Sequence, residues 1–152
     1  MLIFTQRLTP QAAAVRTPDL SLSLSAEERS RSRYRFDHPS GTALFFQLPR
    51  GTLLRQGDLL QTEDGSHTLQ IQAKPEPVIT VRIADELKLL QAAYHLGNRH
   101  VALEAGQDPQ GRYLRLQPDP VLEKMLHHRG LTITAETLPF QPEAGAYGHH
   151  HD

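Results

Sequence analysis

The chain of 152 residues contains no cysteine and no tryptophan. Without thiols there is no disulfide and no thiolate metal site, an absence that fits a reducing cytoplasmic setting. No apolar run approaches the ~20 residues that a membrane-spanning helix needs, so no membrane partner is expected. The opening MLIFTQRL has neither a basic lead nor a long apolar stretch and does not read as a signal peptide. Neither sign of charge dominates: 16 Lys and Arg stand against 17 Asp and Glu, which leaves no electrostatic footprint for nucleic acid. A Gly-rich phosphate loop, an HExxH helix, a serine nucleophile elbow and a clear catalytic carboxylate pair are all missing, so the chain does not read as an enzyme. What is present is a 38% apolar content, typical of a folded soluble protein, and nine histidines.

Two halves differ in pattern. In residues 1–74 apolar and polar residues alternate. Leu20, Leu22 and Leu24 fall on one face and Ser21, Ser23 and Ser25 on the other, and the stretch Arg29 to Phe36 repeats the period of two. Arg-Gly, Gln-Gly and Asp-Gly pairs punctuate the stretch from Pro49 to Ala73. No window has a helical period, so this half is predicted to be a small all-β domain, a barrel or a sandwich. The arginine row Arg29, Arg31, Arg33 and Arg35 reads as a solvated strand face or as an edge for an acidic partner. Pro75 and Pro77 predict a stiff connection. In residues 75–144 the pattern becomes strand, helix, strand, strand, helix, strand, the ferredoxin-like βαββαβ order, so the fold class is α+β. Leu87, Leu90, Ala93 and Tyr94 are predicted to form the inward face of the first helix, and Gly97 its left-handed stop. Asp119, Pro120 and Gly130 supply cap, first residue and stop for the second helix. Residues 145–152 lack periodicity and are expected to be a mobile histidine tail.

Imidazole suits nickel, copper and zinc, so the histidines are the candidate ligands. His95 and His100 are five residues apart, which on a helix is about 500° of turn, or about 140° off alignment, so they form no preformed helical clamp. His95 reads as a residue favoured by the negative end of a helix or as a ligand that needs others from elsewhere. A two-fold axis would turn one His100 into two. His149, His150 and His151 read as a purification-tag remnant or as a loose run able to complete a metal shell. His127 and His128 suit a helix C-terminus, and His38 and His67 are expected in solvated turns.

The stretches YHLGNRHVALE, RYLRLQPDPVLEKMLHHRGLTI, LPFQPEAGAYGHHHD and LPRGTLLRQGDLL together resemble the UreE family of urease accessory proteins, over nearly the whole chain. The resemblance implies a nickel metallochaperone with an N-terminal β domain that binds protein and a ferredoxin-like C-terminal domain that binds metal and forms a homodimer. It implies that His100 is the interfacial Ni²⁺ ligand, that His95 is an accessory position, and that His149, His150 and His151 add ligands. Cu²⁺ or Zn²⁺ would also bind in vitro. The implied partners are the urease apoprotein complex and a urease accessory GTPase. Gln117 and Pro120 stand where some members carry a further histidine pair, and the tail is short, so a large nickel store is not implied.

Overall fold

The structure is a computed structural model that describes residues 1–145; the histidines at 149–151 lie outside the described residues. It divides into two compact units, Met1–Lys74 and Pro75–Asp152. Among the described residues no helix is long and apolar enough to cross a membrane.

The first unit is built on one six-stranded sheet. Its strands are β1 (Leu2–Arg7), β2 (Leu20–Leu24), β3 (Arg33–Asp37), β4 (Ala43–Gln47), β5 (Leu59–Thr62) and β6 (Thr68–Ala73), in the order β2-β6-β5-β1-β4-β3. All six strands supply side chains to one buried cluster, including Phe4, Leu22, Phe36, Phe46, Leu60 and Ile71. A single sheet can share one core in this way only by rolling around it, as a barrel does. A ring nitrogen of His38, just past edge strand β3, lies 2.9 Å from the Ser21 carbonyl oxygen of the other edge strand, β2.

Two short helices correct the all-strand expectation for this half: α1 (Pro10–Ala14) and α2 (Ala26–Arg29). In α2 the Ser25 hydroxyl accepts from the Glu28 N–H, and the Glu28 carboxylate accepts from the Ser25 N–H. This reciprocal capping box stabilises a turn that the alternating pattern concealed. Arg29 therefore does not belong to a solvated strand face. It is 1% exposed and donates to the carbonyls of Leu24 and Leu54, so it ties β2 to the loop before β5.

The second unit comprises β7 (Pro75–Arg82), α3 (Glu86–Gly97), β8 (Glu104–Asp108), β9 (Gly111–Leu116), α4 (Pro120–His128) and β10 (Thr132–Pro139). Its sheet order is β10-β7-β9-β8, with every neighbouring pair antiparallel, the split βαβ arrangement of the ferredoxin-like fold. Pro75 and Pro77 are not a separate connection; they open β7 and pair with Pro139 and Thr137 of β10. Pairing of β7 with β9 begins only at Ile79, so the prolines sit where one side of the strand has no ladder bond to lose.

The inward face of α3 holds to expectation at Ala93 and differs at Leu87, Leu90 and Tyr94. Ala92 and Leu96 of α3 are buried, with Leu89 and Ala93 packed against the same cluster as Ile79, Val81 and Leu114. Leu87, Leu90 and Tyr94 are 62–67% exposed. Both stripes of α3 are apolar, and the sheet covers only one of them.

Both helices end in the same closure. At α4 the Gly130 N–H donates to His127 O (2.9 Å) and the Leu131 N–H to Leu126 O (3.0 Å), with Gly130 at φ 76°. At α3 the His100 N–H donates to Gly97 O (3.0 Å) and the Val101 N–H to Leu96 O (3.4 Å), with His100 at φ 57°. This is the Schellman pattern, one short bond nested in one long bond around a left-handed residue. Gly97 remains helical, and the left-handed position falls three residues later. A side chain at that conformation costs about 1 kcal/mol relative to glycine. His100→Gly is expected to raise the stability of the fold by roughly 0.5–1 kcal/mol, and Gly130→Ala to lower it by about 1 kcal/mol, in urea unfolding. A loss of stability in His100→Gly would mean that the imidazole supports the fold through a contact.

Candidate metal centre

His100 is the one non-glycine residue with positive φ among the described residues. Such an outlier persists where the surroundings fix it, and it marks a position worth testing for function. Its ring is exposed and, among the described residues, has no hydrogen-bond partner. The closure instead fixes its backbone: Leu96 is buried in the core, and Val101, which completes the turn, packs against the same cluster. The imidazole thus projects from a rigid helix end.

His95 lies five residues earlier, in the last turn of α3, and is half-buried. Its ring meets Tyr94 edge-on, with centroids 5.2 Å apart. Its carbonyl accepts from Arg99 Nη1 at 3.0 Å. Partial desolvation, and then the positive charges of Arg129 and Arg99, hold its pKa below that of an ordinary histidine. The neutral ring, the form that binds a metal, is therefore favoured there. His127 and His128 are exposed in the last turn of α4. His38 and His67 are not simply solvated. Nδ1 of His38 lies 2.7 Å from Ser40 Oγ, and Nδ1 of His67 lies 2.9 Å from Ser66 Oγ.

Among the described residues no three His, Asp or Glu side chains converge on a point that could hold a metal ion. A divalent ion of this class takes four or more ligands. What this helix end offers is an exposed imidazole at His100, with a neutral-leaning ring at His95 five residues earlier in the chain. Both are nitrogen donors and suit a borderline ion.

The surroundings of this loop contain residues that the sequence pattern did not single out. β8 leaves the loop at Glu104, whose carboxylate is 13% exposed. It accepts from the Tyr113 hydroxyl (3.0 Å) and from the Gln141 N–H (2.9 Å), and it pairs with Arg115 at 3.5 Å. Desolvation first, then the bond to Glu104, raises the Tyr113 pKa. The Tyr113 ring lies against Gly106, so close that a Cβ there would stand 2.4 Å from its hydroxyl oxygen. Next to Glu104, the Leu103 carbonyl accepts from the Glu143 N–H at 2.8 Å. In sequence Glu104 is one more strand residue, and its partners are 9, 11 and 37 positions away. Arg29, by contrast, had a local signal in the Ser25-x-x-Glu28 pattern.

Comparison with known proteins gives this geometry a context. Residues 4–74 match the family model for the UreE urease accessory protein N-terminal domain, and residues 76–152 match the model for its C-terminal domain. The urease accessory protein UreE of Nostoc sp. is 56% identical over 151 residues, covering 99% of each chain. That of Microcystis aeruginosa is 54% identical, covering all of this chain and 96% of its own. That of Nitrosococcus oceani is 47% identical, covering 99% of this chain and 86% of its own. The family is one of accessory proteins rather than of enzymes. With both halves matched and identities of this size over nearly full length, the chain belongs to the UreE family of urease accessory proteins.

Proposed function

We propose that the protein is a nickel carrier for urease maturation, a homodimer that holds Ni²⁺ between two copies of His100 and passes it on. The observation that carries this reading is the unpartnered imidazole fixed at a left-handed helix end. The fold gains nothing from a side chain there, while an ion seat gains a rigid donor.

The second subunit is supported by the exposed face of α3. Leu87, Leu90 and Tyr94 form a stripe on the helix that ends at His100, and Val121 of α4 is 76% exposed. Exposed apolar stripes of this kind mark protein contacts. A two-fold axis near the end of α3 would bring one imidazole from each copy to a shared ion. Two neutral ligands leave coordination positions open. His95 and the histidines at 149–151 are the further donors. A seat of few neutral ligands also exchanges its ion readily, which suits delivery more than storage. By the general affinity order Cu²⁺ competes with Ni²⁺ in vitro. The receiving partners are the urease apoprotein complex and the accessory GTPase, in the cytoplasm. The first unit, with its exposed Arg33 and Arg35 on edge strand β3, is the docking domain.

Calorimetric titration with Ni²⁺ is expected to show one tight ion per two chains. His100→Ala should lose at least 100-fold in affinity, since it removes two of the few ligands at once. Unchanged tight binding in that variant removes the assignment. Leu90→Glu should turn a metal-free dimer into a monomer in sedimentation while leaving the monomer fold intact, because Leu90 is outside the core. In an NMR pH titration His95 should have its midpoint below the ordinary 6.5, and Arg129→Gln should move it upward. The sign follows from the lost positive neighbour, which had disfavoured the imidazolium. A midpoint at or above 6.5 contradicts the desolvated, arginine-flanked setting.

A further inference from the structure

Besides its two apolar stripes, α3 carries a polar one. Lys88, Gln91 and His95 are spaced i, i+3 and i+7, so they share one side of the helix. Lys88 and Gln91 face the end of α4 across a groove of about 270 Å³, whose other walls are His128, Arg129 and Leu131. Leu131 is buried, and the other four are exposed. The lining holds two permanent cations and an imidazole, and no carboxylate. Elsewhere the second unit neutralises its arginines: Arg82 pairs with Asp108, Arg112 with Glu86 and Arg115 with Glu104. Lys88 and Arg129 form no ion pair among the described residues. After partial desolvation, the Arg129 charge is the main cause of the low His95 pKa, so that charge is not cancelled where it stands.

Helix-end chemistry accounts for only part of this cluster. His128 and Arg129 stand at the C-terminal end of α4, where the dipole favours a cation. Lys88 stands at the third position of α3, where dipole and capping favour a carboxylate. The Asp85 carboxylate accepts from the N–H groups of Leu87 and Lys88, and it does not pair with the Lys88 ammonium. The lysine is placed against the preference of its own helix. We propose that the groove is a docking site for an acidic segment of a partner protein, which sets carboxylates against Lys88 and Arg129. His95 lies on the same stripe two turns beyond Lys88, about 11 Å along the axis, so the docked segment lies beside the candidate metal centre. Only that last placement rests on the His100 reading; the groove does not. A protein segment suits this surface better than other polyanions. No lining residue is aromatic, as base stacking requires, and the net charge of −1 does not favour a long polyanion. The cations are exposed ends of flexible side chains, not the nest of backbone N–H groups that grips a lone phosphate.

The test uses the full chain without metal and, as probe, a labelled peptide rich in Glu beside its Gln counterpart. The Glu peptide is expected to bind at low salt, to weaken as salt rises, and to shift the amide resonances of Lys88, Gln91 and Leu131; the Gln peptide should do none of these. Lys88→Glu combined with Arg129→Glu should weaken binding about tenfold, whereas Lys124→Glu, at an exposed cation outside the groove, should change it about twofold at most. Lys88→Glu alone should weaken binding while raising the urea midpoint, because a carboxylate suits the first turn of α3. A lower midpoint would make Lys88 a structural residue and overturns the proposal. So does an absence of binding at low salt, an equal loss in Lys124→Glu, or shifts confined to Arg33 and Arg35 of the first unit. Tighter binding of a single-stranded oligonucleotide, displacement of the peptide by an equal concentration of inorganic phosphate, or a changed oligomeric state in the double variant assigns the groove to another occupant and overturns it as well. Ni²⁺ titration of His100→Ala is a separate measurement, so either reading can fail alone.

Discussion

The end of a helix must hand its last carbonyl oxygens to new donors, and much of the second unit depends on how α3 meets that demand. The backbone turns left-handed at His100, and two nested bonds to Gly97 and Leu96 close the helix. That turn sends the chain into β8 and sets Val101 onto the core. It also puts an imidazole where α4, solving the same problem, uses Gly130. The two helix ends are a controlled comparison within one domain. Where only the turn matters, glycine serves. At α3 the chain accepts a strained histidine, and the imidazole is the group that a borderline metal ion prefers.

The surroundings of this end show a division of labour. The apolar residues of α3 form two stripes: Ala92 and Leu96 go to the sheet, and Leu87, Leu90 and Tyr94 face outward. On β8 and β9, Glu104, Tyr113 and Arg115 form a mutually satisfied polar knot of low exposure. Such a network rigidifies the sheet edge nearest the His100 loop. The first unit is built differently, from one sheet rolled about one core, with Arg29 bridging carbonyls from inside.

What the sequence made legible was local. Asp119, Pro120 and Gly130 bound α4 where their chemistry predicts, because a cap acts on its own turn. The alternation at Leu20–Leu24 gave the right inward face for Leu22 and Leu24. The α+β class and the ferredoxin-like order came from the same signals. What was misread depended on tertiary partners. Two apolar stripes on α3 are equivalent by periodicity, and only the sheet decides which is covered. Gly97 looked like a stop because glycine is the usual left-handed residue, whereas the closure fell at His100. Arg29 fits a strand by pattern because a period of two runs through a four-residue helix. At the candidate site His100 was legible as a histidine past a helix end, but its backbone strain was not. Glu104 was invisible, since nothing in a strand pattern tells that a carboxylate will meet an amide 37 residues on.

The closure at α3 has one more consequence. The two nested bonds that close α3 around His100 lie within Leu96–Val101, and Leu96 and Val101 rest on the apolar core. With the turn of helix before it, which supplies the Tyr94 and His95 carbonyls, the hexapeptide Leu-Gly-Asn-Arg-His-Val is a local unit. Grafted onto the end of another amphipathic helix, it would present an imidazole at the same angle, a ready-made half-site for building metal-bridged pairs from unrelated scaffolds.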